Sequence, residues 1–456
     1  MSGHQPYEVP VGPPQEAAVP EPTPVSAQDE VVDLAADLIR IDTSNYGDSS
    51  GPGEREAAEY VAAKLAEVGF EPTILESEDR RTSVVVRWEG EDTSRDGLLI
   101  HGHLDVVPAE KSDWTHDPFA AEIADDCLWG RGAVDMKDMD AMTLALVREW
   151  RRAGRKPPRD VVLAFVADEE AGGKLGAHWL VDNHPGLFEG VSESISEVGG
   201  FSFTYAKDQR AYLIETAQKG IHWLRLVATG RAGHGSMVCD DNAITALSEA
   251  VARVGRHDWP LRMTPTVREF LEGISDALGI EFDVDDPEPA LAKIGTLARI
   301  VGATLRNTAN PTMLKAGYKH NVIPQIAEAY IDCRFLPGYE EEMLATIDEL
   351  IGPDIRRETV VQDIALETSF DGSLVEAMVG ALQAEDPGSR AIPYCLSGGT
   401  DNKSFSLLGI RGFGFSPLRL PADLDFAGMF HGVDERVPID SLKFGVRVLD
   451  RFLAAS

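Results

Sequence analysis

The chain has 456 residues, 43% of them hydrophobic and 26% charged, which is enough apolar material for two or three compact units and excludes a wholly disordered chain. Forty-two Lys and Arg face 76 Asp and Glu, and the net charge of −34 repels nucleic acid and anionic membranes and suits a cytoplasmic protein. No run of about 18 apolar residues is available to span a bilayer. Cys127, Cys239, Cys333 and Cys395 form no CxxC pair, so any metal must be held by His and carboxylates.

Residues 1–27 carry seven prolines and little aliphatic periodicity, and they read as a disordered Pro-rich tail without the basic flank and apolar run of a secretory signal. From Asp29 apolar residues recur at helical spacing, first Val31, Leu34, Ala35 and Leu38, then Ala57, Ala58, Val61, Leu65 and Val68 before Gly69. Strands are predicted over 83–88 and 97–101, a helix over 138–150, a buried strand over 160–167 and a further helix over 175–182. Strands alternating with helices imply an α/β domain with a mainly parallel sheet.

Near Lys219 the pattern changes. Strands are expected over 221–229 and 328–335, with helices over 242–254 and 340–351, which is a smaller α+β layer. A helix near 373–383, a strand near 412–415 and a last helix from Asp440 resume the α/β pattern. The expected organisation is therefore a catalytic domain in two parts, 28–217 and 363–456, interrupted by an inserted lid over 218–362. Residues 256–319 read as an extra helical insertion within that lid.

Four segments carry the chemistry. In LLIHGHLDVVP an apolar strand ends at His101, His103 and Asp105, one face of a strand if the extended backbone persists. The two histidines are either surface residues or ligands at a strand end, where α/β folds build their sites. In LWGRGAVDMKD, Asp135 precedes a predicted helix and suits either an N-cap or a ligand. AFVADEEAGG puts three acids at the end of a buried strand, a solvated turn or a carboxylate set that a cation must hold together. FHGVDERVP places His431 in a loop before the last helix. All four supply the N and O donors that Zn²⁺ accepts.

HGHLDVVP, GRGAVDMKD, DEEAGG, DCRFLPG and FHGVDERVP, in this order and from about residue 29 onward, resemble the co-catalytic dinuclear-zinc hydrolases, the family of aminoacylase, acetylornithine deacetylase, succinyl-diaminopimelate desuccinylase, glutamate carboxypeptidase and carboxypeptidase S. The resemblance implies His103, Asp135, Glu170 and His431 as metal ligands, with Asp135 bridging two ions and followed by a cis peptide. It implies Glu169 as general base and Asp105 as the carboxylate that orients His103. For the fifth ligand SESISEVGG offers Glu193 and Glu197, and Glu197 has the family's context, a Glu before a Gly-rich turn.

The resemblance also assigns His234 in GRAGHGS to polarise the scissile carbonyl, often in the partner subunit's site. Asn321, Arg334 and the glycine loop Gly398, Gly399, Thr400 would contact substrate, an Arg being suited to grip a carboxylate in two hydrogen bonds. The cofactors implied are two Zn²⁺, with Co²⁺ or Mn²⁺ acceptable to the same donors. The substrate implied is an N-acyl amino acid or a small peptide with a free carboxylate, so aminoacylase and dipeptidase or carboxypeptidase activities share one site. A homodimer through the lid is expected, although the long insertion can alter how it forms. The competing function is a metal or small-molecule binder without turnover; the presence of Glu169 beside the ligand set favours the enzyme.

Overall fold

The computed structural model describes residues 25–48, 50–280 and 302–456, together with positions 283, 286, 287, 289 and 293. Most of the expected Pro-rich tail and part of the expected helical insertion lie outside the described residues.

A ten-stranded sheet forms the larger layer. Its centre is a parallel run of the strands Val161–Val166, Gly97–His103, Val191–Ser196 and Arg411–Gly414. Antiparallel strands flank it, Thr73–Glu78 and Arg81–Trp88 on one side and Gln209–Gln218 with Phe201–Ala206 on the other. Gly97–His103 and Val161–Val166 are buried at every position, as a sheet covered on both faces requires. Helices Ala27–Arg40, Lys137–Arg152, Ser373–Glu385 and Ile439–Ala455 pack together over one face. The opposite face is covered by Ala177–Asn183 and Asn402–Ser406, where Leu180, Phe188 and Phe405 meet Leu99 and Val162. The fold is thus the expected α/β class.

The second layer is an antiparallel sheet of four strands, Thr308–Ala316, Ile326–Phe335, Gly220–Thr229 and Ile355–Asp363 in spatial order. Its inward residues alternate with solvent-facing ones, and Leu224, Leu226, Ala327, Ala329 and Ile331 bury against helices Ala243–Gly255 and Glu340–Ile351 in a core of their own. Asn242 caps the first of these helices, its side chain accepting from the N–H groups of Ile244 and Thr245. The sequence pattern found only two of the four strands.

Helix Pro265–Leu278 falls inside the expected insertion, yet it does not belong to this second core. Thr264 caps its start, Gly279 closes its end at φ 63°, and Val267, Phe270, Leu271 and Ile274 pack into the first core beside strand Arg390–Leu396. No helix among the described residues is long and apolar enough to cross a membrane.

Candidate metal centre and active-site cavity

The C-terminal ends of the central parallel strands supply His103, Glu169, Glu170 and Glu197, while Asp135 comes from the turn before helix Lys137–Arg152 and His431 from the loop before strand Arg436–Pro438. His103, the last residue of its strand, is 1% exposed. Its Nδ1 lies 2.9 Å from the carbonyl oxygen of Asp105 and 3.6 Å from that residue's carboxylate. Its Nε2 lies 3.1 Å from Asp135 Oδ1, 3.5 Å from Glu197 Oε2 and 4.0 Å from Glu169 Oε2. On the other side of Asp135, His431 Nε2 stands 3.4 Å from Asp135 Oδ2 and 3.1 Å from Glu170 Oε2. Two groups of ligand atoms result, His103–Asp135–Glu197 and Asp135–Glu170–His431, each with its atoms within 4.8 Å of one another and with Asp135 common to both.

Asp105 acts on this arrangement chiefly through the backbone. Its carboxylate accepts the N–H groups of Glu169 and Glu170, each at 3.1 Å, and the side-chain amide of Asn45 at 2.8 Å. The nearest partner of the His103 ring is instead the Asp105 carbonyl, so the expected carboxylate–imidazole contact is the longer of the two. Asn45 also donates to Asp168 at 3.2 Å and accepts from Arg81, which ion-pairs with the buried Glu54. Asp168, in left-handed backbone at φ 68°, accepts from Leu175 N–H, so the acid turn is tied at both ends.

A second network holds Asp135, whose peptide bond to Met136 is cis as the family resemblance implies. The carboxylate of Glu435, wholly buried, accepts from the N–H groups of Gly132, Val134 and Asp135 at 3.1, 2.7 and 3.2 Å and from Arg131 at 2.6 Å. Arg131 in turn donates to the carbonyl of Gly432, beside His431. Asp135 and His431 thereby share one scaffold, although they lie far apart in sequence.

The electrostatics of this cluster favour a divalent ion. Burial raises Glu169 and Glu170 well above or above the ordinary carboxylate range, reinforced for Glu169 by Glu197 and for Glu170 by Asp135. Burial lifts Glu197 to about 7 despite His103. Asp135 goes the other way: burial would raise it, but hydrogen bonds from His103 and His431 outweigh that and hold it low. Burial likewise opposes the charge on His103, and the carboxylates of Glu197, Asp135 and Glu169 overcome it; Asp135 and Glu170 push His431 to about 10. Buried acids that repel one another and share two imidazoles are a donor set of the kind hard or borderline divalent cations satisfy.

These residues open into a cavity of about 1140 Å³ between the two sheets, lined on one side by Asp135, Glu169, Glu170, Glu197 and His431. Arg334, Ile221 and Trp223 line it from the second sheet, and Gly398, Gly399 and Thr400 close it from the loop before helix Asn402–Ser406. Arg334 is paired with Asp332 at 2.7 Å. Glu193, the other candidate for the fifth ligand, points elsewhere and pairs with Arg159 at 2.9 Å. His101 is also outside the cluster: its Nε2 meets Asn402 Oδ1 at 2.9 Å, and burial lowers it to about 4, so it stays neutral.

His234 and Asn321 do not line this cavity. Both are exposed at the tip of the second layer, where Gly233 and His234 pair with Ile323 and Val322 and Gly235 N–H donates to Asn321 at 2.9 Å. The His234 ring contacts Ser236 Oγ at 2.9 Å. Asn45 and Glu435 were not singled out from sequence; Glu435 lay within a quoted motif, but its partners are some 300 residues distant. Nor was Lys403, which sits in the cavity wall.

The sequence profile of the family described as Peptidase family M20/M25/M40 matches residues 99–455, more than half of the chain. A carboxypeptidase S-like protein of Dictyostelium discoideum is 29% identical over 393 residues, covering 79% of this chain and 72% of its own length. Human aminoacylase-1 is 26% identical over 384 residues, covering 81% and 82%. The crystal structure of an M20 family metallo-carboxypeptidase from Sulfolobus solfataricus superposes with a TM-score of 0.71 at 19% identity, covering 94% of this chain and 99% of that one, a likeness of fold.

Proposed function

Because the chain belongs to peptidase family M20/M25/M40, we propose that it hydrolyses the amide bond of an N-acyl amino acid or a small peptide bearing a free carboxylate. Membership makes it a metal-dependent hydrolase of amide bonds; the substrate class, the ions and the role of each residue are the proposal. Two Zn²⁺ ions, or Co²⁺ or Mn²⁺ in their place, would be held by His103, Asp135 and Glu197 and by Asp135, Glu170 and His431. Bound there, they would supply Lewis acidity that polarises the amide carbonyl and eases deprotonation of water.

One observation supports catalysis over mere binding. Glu169 belongs to neither ligand group, yet its carboxylate faces the cavity 4.0 Å from His103 Nε2 and is held above the ordinary carboxylate range by burial. It is placed to take a proton from the attacking water and return it to the departing amine, which a ligand carboxylate would be too occupied to do. Arg334 takes the substrate carboxylate, and the Gly398–Thr400 loop lies against the substrate. The second sheet acts as a lid over 218–362, closing on the cavity and excluding water. His234 and Asn321, exposed and outside the lining of their own chain's cavity, serve the cavity of a second copy, so the active form is a homodimer; the acidic charge of the chain suits the cytoplasm.

The test is hydrolysis by the metal-loaded full chain of N-acetyl and N-octanoyl derivatives of leucine, methionine, phenylalanine and glutamate, beside glycyl-leucine and glycyl-phenylalanine. Release of free amino acid that Glu169→Gln lowers by roughly 10²- to 10⁴-fold, with metal content unchanged, supports the proposal. An unaffected rate in that variant would place the base elsewhere. A wild type inert on the whole panel would contradict the reading.

A further inference from the structure

The wall of the cavity contains a lysine that no role so far uses. Lys403 is 4% exposed, yet it lines the cavity. Its ammonium donates to the carbonyl of Lys219 at 2.9 Å and pairs with Asp363 Oδ2 at 2.9 Å. An ammonium has three N–H donors, and these partners take two. The first is fixed backbone at the point where strand Gln209–Gln218 hands over to Gly220–Thr229. The second is a side chain 42% exposed that itself lines the cavity, so it can be exchanged for another carboxylate without opening the core.

Gly399 leaves room for this lysine. A Cβ at residue 399 would stand 2.7 Å from Lys403 Nζ and 2.9 Å from Cε, so a side chain there would displace the ammonium. Thr400 is pinned in turn by Gln218, which accepts its N–H at 2.9 Å and donates to its hydroxyl at 2.7 Å. The cavity-lining residues of the second sheet beside Lys403 are set by sheet register. Ile221 lies between Arg334 on one neighbouring strand and Asp363 on the other, so all three share one face in a lateral row. Strand spacing places Arg334 and Asp363 about 10 Å apart at the backbone. A carboxylate resting over Ile221 would sit between the Arg334 guanidinium and the Lys403 ammonium.

We propose that Lys403 is a specificity-determining residue, forming with Arg334 a clamp across the two layers for the substrate's free carboxylate, with Asp363 holding the lysine's place until substrate arrives. The inference rests on the hydrolase reading above and deepens it: the enzyme takes free acids and discriminates against substrates whose carboxyl is capped as an amide. Because the two cations come from different layers, the carboxylate also draws the layers together over the scissile bond.

The experiment compares the best acid of the hydrolysis panel with its carboxamide on wild type, Lys403→Met, Gly399→Ala and Asp363→Asn, all metal-loaded and checked by thermal melting. Wild type should prefer the acid by about 100-fold or more in kcat/KM, the strength of two charge-assisted contacts. Lys403→Met should cut that preference by roughly 10- to 100-fold through KM, leaving the rate on the carboxamide within about threefold. Gly399→Ala should act in the same direction, and Asp363→Asn, which frees the lysine, should keep or lower KM for the acid. If Lys403→Met melts early, Asp363→Asn alone decides: a raised KM for the acid overturns the clamp. An acid preference untouched in Lys403→Met, or equal handling of acid and amide by wild type, overturns it while leaving the hydrolase reading intact. Inactivity of wild type on the whole panel removes both.

Discussion

The floor of the cavity and the tip of the second layer carry candidate catalytic residues under opposite physical conditions. At the floor, His103, Asp135, Glu169, Glu170 and Glu197 are largely buried; the Asp105–Asn45 network fixes the backbone of Glu169 and Glu170, and the Glu435–Arg131 network that of Asp135. At the tip, His234 and Asn321 are exposed, Met237 and Val238 nearby are 68% and 103% exposed, and the ties described are the short pairing of Gly233 and His234 with Ile323 and Val322, the Gly235–Asn321 backbone bond and the His234–Ser236 contact. The positions proposed to hold ions are over-determined within one chain, because misplacing a ligand or a base by about 1 Å loses catalysis. The tip has fewer such ties, and a second copy is proposed to supply its support.

The largest effect should come from the shared residue of the floor. Asp135→Asn removes a donor from both ligand groups, so bound metal measured by elemental analysis should fall, and turnover should drop by more than the roughly 10⁴-fold attributable to a missing base. Retention of full metal content would break the claim that Asp135 serves both groups. At the tip, His234→Ala should lower kcat by about 10²- to 10³-fold while leaving metal content alone. Mixing His234→Ala with Glu169→Gln chains should then restore roughly a quarter of wild-type activity, since each mixed two-fold dimer has one intact site. No recovery on mixing would return His234 to its own chain or to no role.

Smaller effects probe the support of the floor. Glu435→Gln places a donor amide against the N–H groups of Gly132, Val134 and Asp135, and it should weaken metal binding by about 10- to 100-fold, read by calorimetric titration. Unchanged affinity would show that the loop holds its shape without this carboxylate. The gentlest perturbation is pH. Without metal, Glu197 carries its proton up to about 7 and His103 is held protonated above its ordinary range. An ion entering this group must displace those protons, so affinity should rise with pH, by about tenfold from pH 6 to 7 for one proton released. A flat profile would mean that neither group is a ligand.

Much of the floor was readable from sequence because several of its candidate ligands stand at element ends that local pattern defines. The apolar run Leu98–Ile100 ends at His103, and the buried run Val161–Val166 ends at the acid turn. Asp135 sits just before helix Lys137–Arg152. His101 shares the His103 face, but one pleat pair further into the sheet, where Asn402 and Phe405 occupy it, and no local pattern reports that partner. Strand Gln209–Gln218 was missed because its buried positions include Glu215, Thr216 and Gln218, polar residues that obscure a core strand. Asn45, Lys403 and Glu435 were invisible for a related reason: each acts through partners contributed by distant segments, and only the folded chain brings them together.

Two ions are proposed to lie either side of Asp135, and anomalous diffraction from crystals of the zinc-loaded protein would locate them. Two peaks are expected, one within bonding distance of His103 and Glu197, the other within bonding distance of Glu170 and His431, with the Asp135 carboxylate touching both. A single peak, or peaks away from these residues, would contradict this placement.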